Sequence, residues 1–192
     1  MPVSVIILAA GSSSRMGQSK QLLPWKHQTL LTHAINTAVE SRAGHVYVVL
    51  GSNEEEHRKA IAKLPVTIVS NPSWTKGMGS SLKAGLKQAE GSEAVLIMVC
   101  DQPFVTSQHL NNIIEHYNKT KEQVIASKYD DTIGVPALFG KEMLYELMDL
   151  ADEEGARKVI LKNNPAVIIL QSGEDLDTPD DYEKAGGLPL WQ

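Results

Sequence analysis

A short apolar run that passes directly into a loop of small residues decides how the chain folds: residues 3–20 read VSVIILAAGSSSRMGQSK. The β-branched residues from Val3 to Leu8 predict a strand that is buried on both faces. The run carries no basic flank of the kind that precedes a secretory signal, so we interpret it as part of the folded protein. It leads into Gly11, with Arg15 and Lys20 further along the same loop.

The loop from Gly11 to Lys20 is a candidate phosphate-binding segment. Loops at the carboxyl ends of parallel strands form a crevice, and small residues there let backbone N–H groups approach phosphate oxygens. Arg15 and Lys20 add two positive charges. The spacing is not that of a P-loop, because Gly17 comes six residues after Gly11 and Lys20 three residues later, and it is not GxGxxG. The alternative is an ordinary strand-to-helix turn with charges on its surface, and the two cations favour the polyphosphate site.

The rest of the chain alternates strands with helices. Apolar, β-branched runs predict strands at residues 3–8, 46–50, 66–69, 94–100 and 167–170. Apolar residues at helical spacing and helix-end signals predict helices at residues 30–39, 54–64, 82–89, 110–117, 141–150, 154–162 and 180–185. This alternation predicts the α/β class: one domain over residues 1–192, with three α/β/α layers around a mainly parallel, Rossmann-like sheet. Residues 132–139 contain Gly134 and Pro136, so we expect an edge or irregular strand there rather than a central one.

Composition excludes several classes of protein. With 192 residues, of which 42% are hydrophobic, the chain can bury a full core. The net charge of −5, without a basic run, argues against nucleic acid or an anionic membrane as a partner. No apolar run approaches the ~20 residues that cross a bilayer, and the single cysteine, Cys100, suits a reducing compartment, so we expect a cytoplasmic protein. The six histidines show no HExxH spacing and are assigned no chemistry.

Acidic residues follow two of the predicted strands. Asp101 comes directly after the strand at 94–100, at the carboxyl end of the sheet beside the glycine loop. Such an aspartate often only begins a turn, but Mg²⁺ on nucleotide phosphates normally needs one or two protein carboxylates. Asp175 and Asp177, after the last strand, point the same way if the segment is extended, and they are the second candidates. Cys100 points to the opposite face of its strand from Asp101, into the core.

The segment GMGSSL at residues 77–82 precedes the predicted helix at 82–89. Ser80 or Ser81 is expected to cap that helix, which is ordinary helix chemistry. The two glycines of the segment in addition predict that its backbone lies close to another group. Trp74, just before the segment, is either a stacking surface or a core residue.

Several of these segments together resemble one family. LAAGSSSRMGQSK at residues 8–20, followed by LLP at 22–24, is similar to the signature of the MobA-like nucleotidyltransferases, and more narrowly of their molybdenum cofactor cytidylyltransferase branch. Matching segments follow in the family's order: NPSW at 71–74, GMGSSL at 77–82, DQP at 101–103, PALF at 136–139, EGAR at 154–157 and DLDTPDDY at 175–182. Each segment alone is a weak signal, whereas the ordered set along the whole chain is strong.

The resemblance implies the fold of the nucleotidyltransferases and transfer of CMP from CTP to the terminal phosphate of the molybdopterin (molybdenum) cofactor, with release of pyrophosphate. It implies Mg²⁺ as cofactor, held by Asp101 and by Asp175 or Asp177. The implied catalytic residues are Arg15, Lys20 and Asp101. The implied nucleotide-binding residues are Leu8, Ala9, Ala10, Gly11, Ser12, Arg15, Lys20, Gly51, Asn71, Gly77, Ser80, Ser81 and Asp101. The implied acceptor-binding residues are Gln102, Pro103, Val135, Pro136 and Arg157.

One position in the loop bears on the choice of base. Cytidylyl members of this family typically have LAAG where guanylyl members have LAGG, and Ala10 stands at the distinguishing position. We expect its methyl group to crowd a purine, which favours CTP.

Two segments depart from the family pattern. Val135 stands where the family often has the His of Gly-His-Pro, and Ala151 precedes Asp152 where a Gly-Asp pair is frequent. Both would line the acceptor side, so the acceptor stays open. One alternative is a nucleotidyl transferase that acts on a sugar, polyol or lipid-precursor phosphate. The other is a non-catalytic carrier that passes the molybdenum cofactor to a client hydroxylase or dehydrogenase, and such a client is also a possible partner of the enzyme.

Overall fold

A mixed sheet of seven strands, with helices packed on both faces, forms the body of the protein. The structure is a computed structural model and describes residues 2–171, 173 and 175–187. The strands are β1 (Val3–Ala9), β2 (Pro24–Trp25), β3 (Gln28–Thr29), β4 (His45–Leu50), β5 (Thr67–Ser70), β6 (Ala94–Val99), β7 (Val124–Tyr129), β8 (Thr132–Gly140) and β9 (Ala166–Ile169). The helices are α1 (Leu30–Val39), α2 (Glu54–Ile61), α3 (Met78–Gln88), α4 (Ser107–Thr120), α5 (Leu144–Met148), α6 (Arg157–Lys162) and α7 (Pro179–Lys184). The α/β class predicted from the alternation is confirmed.

The sheet has the strand order β5-β4-β1-β6-β8-β7-β9. Strand β1 pairs in parallel with β4 and β6, and the pairs β4–β5 and β7–β9 are parallel too. All seven residues of β1 are buried, as expected for an apolar strand with a helix layer on each face. Because β1 and β6 are parallel neighbours, the glycine loop after β1 and Asp101 after β6 lie at the same edge of the sheet.

Strand β8 corrects one expectation. It lies between β6 and β7, antiparallel to both, so the expected edge position at residues 132–139 is wrong, whereas the expected irregularity is present in its pairing with β7. The sheet tolerates Pro136 inside it because the pairing with β7 shifts: Ala126 pairs with Ala137 and Ser127 with Gly134, which leaves Pro136 out of the ladder. The carbonyl oxygen of Pro136 accepts a hydrogen bond of 2.6 Å from the Ser127 hydroxyl. Strand β7 itself was not predicted.

The start of α3 corrects a second expectation. The helix begins at Met78 with Gly77 at the N-cap, so Ser80 and Ser81 lie inside its first turn and neither caps it. The Ser80 N–H instead donates to the carbonyl oxygen of Asp152 at 3.2 Å, from a segment that precedes α6. A carbonyl from a distant part of the chain thus replaces the expected side-chain cap.

Three buried clusters hold the layers together. One packs α1 and α4 on one face of the sheet, and a second packs α3, α5 and α6 on the other. A third, smaller cluster joins Met16 of the glycine loop and Trp25 of the β2–β3 hairpin to Leu176 and Tyr182 near the C-terminal end. This third cluster brings the segment of Asp175 and Asp177 next to the glycine loop.

Threonine side chains cap the starts of α1, α4 and α7. Thr106 caps α4 by accepting from the His109 N–H, and Thr178 forms a capping box with Asp181 at the start of α7. Within residues 2–171, 173 and 175–187, no helix has the length and apolar character that crossing a bilayer requires.

Candidate active site

A cavity of about 420 Å³ opens at the carboxyl ends of β1 and β6, a size typical of small-molecule sites. Its wall consists of four parts of the chain: the glycine loop, the start of α3, the residues after β6 and Asp177 before α7. The lining residues are Leu8, Ala9, Ala10, Gly11, Ser12, Ser13, Ser14, Arg15, Lys20, Gln21, Trp74, Thr75, Gly77, Met78, Ser81, Val99, Cys100, Asp101 and Asp177.

Lys20 connects the two acidic segments at one side of this cavity. Its ammonium nitrogen lies 2.7 Å from Oδ2 of Asp101 and 2.9 Å from Oδ1 of Asp177. The side chain of Lys20 is only 10% exposed, and burial alone would lower its pKa, but the interactions with both carboxylates raise the pKa above its usual value. Lys20 therefore stays charged, and it brings Asp101 and Asp177 together.

Arg15 forms an outer part of the same network. Its Nη1 lies 3.1 Å from Oδ2 of Asp177, but the Arg15 side chain is 73% exposed. The hydrogen bond from Lys20, with smaller contributions from Arg15, lowers the pKa of Asp177. Asp177 therefore holds Arg15 only weakly at the cavity wall, because an exposed ion pair contributes little to stability.

Asp175 completes a group of three aspartates around Asp101. Burial, the charge of Asp101 and the charge of Asp177 raise the pKa of Asp175 to about 6, against the lowering effect of a hydrogen bond from Gln102. The backbone N–H of Leu176 donates to the carbonyl oxygen of Asp101 at 3.0 Å, which holds the two segments together. Negative charge therefore accumulates on one side of the cavity, and Lys20 and Arg15 neutralise it.

The glycines of the GMGSSL segment contact another part of the protein. A Cβ on Gly77 would lie 2.6 Å from the carbonyl oxygen of Asp152, and one on Gly79 would lie 2.3 Å from that of Ala151. Lys83 strengthens this contact, because its ammonium binds Oδ1 of Asp152 at 2.6 Å and the Leu150 carbonyl at 2.9 Å. The close approach that the glycines predict is thus made by residues 151–154, which hold the start of α3 at the cavity wall.

Trp74 is both a core residue and part of the cavity wall. It packs against the second buried cluster, and a Cβ on Gly51 would lie 2.5 Å from the Cβ of Trp74 and 2.9 Å from that of Ala10. Asn71 lies behind the wall, where its amide donates to the hydroxyls of Ser80 and Ser81 at 3.0 and 2.9 Å. Gly51, Asn71 and Ser80 are therefore not among the lining residues, and their predicted roles in nucleotide binding remain predictions.

The predicted acceptor-binding residues are not among the residues that line this cavity. Gln102 is buried and donates weakly to the Tyr129 hydroxyl at 3.4 Å and to the Gly173 carbonyl at 3.3 Å. The Pro103 carbonyl bonds to a ring nitrogen of His33, and Arg157 donates to the Ile133 carbonyl at 3.3 Å. Val135 and Pro136 belong to β8. The structure thus does not bring these residues together with the nucleotide-sized cavity, and their role remains a prediction.

Sequence reasoning missed Gln21, Ser13, Thr75 and Met78, all of which line the cavity. The available signal was position: Gln21 follows Lys20 directly, and Thr75 and Met78 lie within two residues of Gly77. Cys100 is buried, as predicted, and burial raises the pKa of its thiol far above the usual value. It therefore stays a neutral thiol.

A glycine loop after a central parallel strand, with charged residues around a cavity at the strand ends, is the arrangement of nucleotide-binding α/β proteins. Among these, the chain belongs to the family of MobA-like NTP transferase domains, whose model matches residues 5–167. The family membership indicated by the sequence segments is thereby confirmed, and the protein is a nucleotidyltransferase of the MobA-like type.

Two curated relatives align along nearly the whole chain. The purine catabolism protein PucB of Bacillus subtilis strain 168 is 29% identical, and the alignment covers 93% of each chain. The molybdenum cofactor cytidylyltransferase of Escherichia coli K12 is 27% identical over 94% of this chain and 93% of its own length. Among solved structures, Rv0371c from Mycobacterium tuberculosis H37Rv superposes with a TM-score of 0.84 at 25% identity, covering 96% of each chain.

Proposed function

We propose that the protein transfers CMP from CTP to the terminal phosphate of the molybdopterin cofactor and releases pyrophosphate. The observation that carries this proposal is the position of Lys20, which joins Asp101 and Asp177 at the wall of a cavity that the glycine loop also lines. The relative from E. coli, which is named a molybdenum cofactor cytidylyltransferase, supports the choice of reaction.

The proposed reaction needs charge neutralisation more than it needs a base. An oxygen of the acceptor phosphate attacks the α-phosphorus of CTP, a new phosphorus–oxygen bond forms, and the bond from the α-phosphorus to the bridging oxygen of pyrophosphate breaks. The acceptor phosphate is already ionised near neutral pH, so no residue has to remove a proton from it. Arg15, Lys20 and the backbone N–H groups after Gly11 would hold the two anions in line against their mutual repulsion.

The acidic residues around Lys20 fit a divalent cation. Carboxylate oxygens are the donors that Mg²⁺ prefers, and one or two of them together with substrate phosphates are its usual ligands. Asp101 and Asp177 are close enough to share one ammonium group, and Asp175 lies beside them. Among the residues whose positions are described, no three acidic, histidine or cysteine side chains converge into a metal site by themselves. In this proposal Asp101, with Asp175 or Asp177, would hold Mg²⁺, which supplies positive charge to the phosphates when bound.

The choice of CTP is supported by Ala10. This residue lies at the cavity wall, and its methyl group is on the side of Gly51 and Trp74. A purine is larger than cytosine and would need the space that the methyl group takes. One methyl group discriminates by about 1–3 kcal/mol, so the preference is finite.

A product analysis tests the proposal. The purified protein is incubated with molybdopterin, Mg²⁺ and each of CTP, GTP, ATP and UTP in turn, and the products are identified by mass. We expect the molybdopterin–cytosine dinucleotide and pyrophosphate from CTP. The Lys20→Met variant should form at least about 100-fold less product, as for the loss of a main electrostatic stabiliser. Lys59→Met, which removes an exposed lysine paired with Glu55 on α2, is the matched control.

The same experiment separates the alternatives. If product forms only with a sugar, polyol or lipid-precursor phosphate, the protein is a nucleotidyltransferase with an acceptor other than molybdopterin. Binding of molybdopterin without any binding of CTP and Mg²⁺ would instead support a cofactor carrier for a client enzyme. Equal turnover by wild type and Lys20→Met would contradict the proposed role of the site.

A further inference from the structure

We propose that Gln21 is a positioning residue, which sets the phosphate-binding conformation of the glycine loop, and that Ser19 and His57 hold Gln21 in place. The inference rests on the proposed function, because it concerns the loop that would bind the triphosphate. It assigns these three residues a task that the sequence segments do not indicate.

The side-chain amide of Gln21 joins both ends of the loop. Its nitrogen donates to the carbonyl oxygens of Ala9 at 3.1 Å and Gly11 at 2.8 Å. Its oxygen accepts from the hydroxyls of Ser13 at 3.1 Å and Ser19 at 3.0 Å. One amide group therefore connects the end of β1, the turn of the loop and the residue before Lys20.

All hydrogen-bonding positions of this amide are occupied. A glutamine amide has two N–H donors and two acceptor positions on its oxygen, and Gln21 uses all four within the protein. The residue is 3% exposed although it lines the cavity. Gln21 thus has no donor or acceptor left for a nucleotide, which makes it a positioning residue and not a ligand of the substrate.

The bonds of Gln21 determine where the backbone N–H groups of the loop point. In a planar trans peptide the C=O of one residue and the N–H of the next point in opposite directions. Because the Gly11 carbonyl points to Gln21, the Ser12 N–H points away from Gln21, and the Ala9 carbonyl orients the Ala10 N–H in the same manner. Gln21 thereby fixes two of the N–H groups that small-residue loops offer to phosphate.

Ser13 extends the network to Lys20. The Ser13 hydroxyl accepts a hydrogen bond of 3.1 Å from the Lys20 backbone N–H while it donates to Gln21. Ser13 adopts a left-handed backbone conformation with φ of 54°, which costs energy for a residue other than glycine. These two hydrogen bonds compensate for that cost, so the network also places the backbone of Lys20.

His57 holds the network from α2. Its Nε2 lies 2.6 Å from the Ser19 hydroxyl oxygen, and its side chain is fully buried. Ser19 has one proton, which it donates to Gln21, so the Nε2 of His57 must carry the proton in the bond between them. Burial lowers the pKa of His57, so the neutral ring keeps this arrangement near pH 7. A buried histidine on a largely charged helix thus supports the loop through Ser19.

The test compares Gln21→Met with the control variant Gln108→Met. Gln108 lies on the exposed face of α4, where its side-chain amide donates to Asn112. Hydrogen exchange of the backbone amides of Met16 and Lys20, which both donate to Ser13 within the loop, is measured on the free proteins. We expect exchange there to be at least about tenfold faster in Gln21→Met than in wild type, because the loop opens more often. Unchanged exchange in Gln21→Met would overturn the proposal, whether or not the protein uses CTP.

Kinetics with CTP separate positioning from general destabilisation. The loop N–H groups bind the triphosphate in the ground state, and the same network places Lys20, so Gln21→Met should raise the KM for CTP about tenfold and lower kcat as well. Loss of kcat at constant KM would indicate a smaller folded fraction and would contradict positioning. If wild type neither binds nor turns over CTP, the proposed function fails, and the exchange measurement still decides the role of Gln21.

Ser19 provides a second pair of variants in case Gln21→Met does not fold. Ser19→Ala removes the hydroxyl between Gln21 and His57, whereas Ser19→Thr retains it. We expect Ser19→Ala to accelerate loop exchange and Ser19→Thr to restore the rate of the wild type. Equal effects of the two substitutions would show that the hydroxyl is not what holds the loop.

Discussion

Gly79 packs against the backbone of Ala151 so closely that a methyl group on it would lie 2.3 Å from the Ala151 carbonyl oxygen. We expect Gly79→Ala to destabilise the protein by about 3 kcal/mol, the upper end of overpacking costs, because backbone atoms would have to move. The better helix propensity of alanine offsets about 1 kcal/mol at most. Thermal or denaturant unfolding measures the difference.

Gly91→Ala is the matched control for this substitution, because a Cβ at Gly91 would meet no atom within 4 Å. Its free energy of unfolding should stay within about 0.5 kcal/mol of wild type. Since Gly77, Met78 and Ser81 line the cavity, Gly79→Ala should also weaken CTP binding. A Gly79→Ala protein as stable as Gly91→Ala would contradict the observed packing.

The proximity of Lys20 and Asp101 could be predicted from the sequence, because both follow apolar strands of a parallel sheet. The neighbour of Gly79 could not be predicted. Its contact at Ala151 is made by a segment far along the chain, and the glycine alone indicates only that something lies close. A ligand was the expected neighbour, and the protein's own backbone is the observed one.

Strand β8 shows the same limit. Pro136 breaks a local rule for central strands, and only the shifted pairing with β7, between Ala126 and Ser127, explains why the strand tolerates it. Similarly, the four hydrogen bonds of Gln21 depend on the path of the loop, which residue types do not specify. Periodicity predicts elements, whereas pairing across long sequence separations decides their neighbours.

Lys20→Met should make the stability of the protein depend more on divalent cations. The substitution leaves Asp101 and Asp177 without the ammonium that they share, so the free energy of unfolding should fall by about 1–3 kcal/mol, as when a buried charge loses its partner. Mg²⁺ can restore positive charge there, so it should raise the Tm of Lys20→Met more than that of wild type. Calorimetry with and without Mg²⁺ measures this, and Lys59→Met should behave like wild type. An equal effect of Mg²⁺ on all three proteins would contradict the shared site.

We expect His109 to make the free energy of unfolding decrease in acid. It is buried, its Nε2 lies 2.7 Å from the Ser127 hydroxyl, and burial lowers its pKa from 6.5 to about 4. The unfolded chain therefore takes up a proton at His109 below about pH 6.5, and the folded protein only below about pH 4. Stability should fall as the pH decreases through this window, by up to about 3 kcal/mol, and not on the alkaline side.

His109→Gln tests this origin, because glutamine does not titrate and retains an N–H donor for Ser127. The Tm of wild type should therefore fall more than the Tm of His109→Gln as the pH is lowered from 7 to 4. The exposed His27→Gln serves as the control and should leave the pH dependence of wild type intact. A constant difference between wild type and His109→Gln across this range would show that another group is responsible.

We expect the Ala10→Gly substitution to change the selectivity between CTP and GTP. Ala10 lines the cavity, and its methyl group packs against Gly51, which has no side chain. Its removal should lower the ratio of kcat/KM for CTP to that for GTP by about 10-fold or more, since one methyl group is worth about 1–3 kcal/mol. The change should come mainly from better use of GTP, because the cytosine already fits. Ala43→Gly, outside the lining residues, should leave the ratio unchanged. If both variants keep the selectivity of wild type, base choice depends on other residues of the wall, and Trp74 and Met78 are the next to test because they line the same cavity.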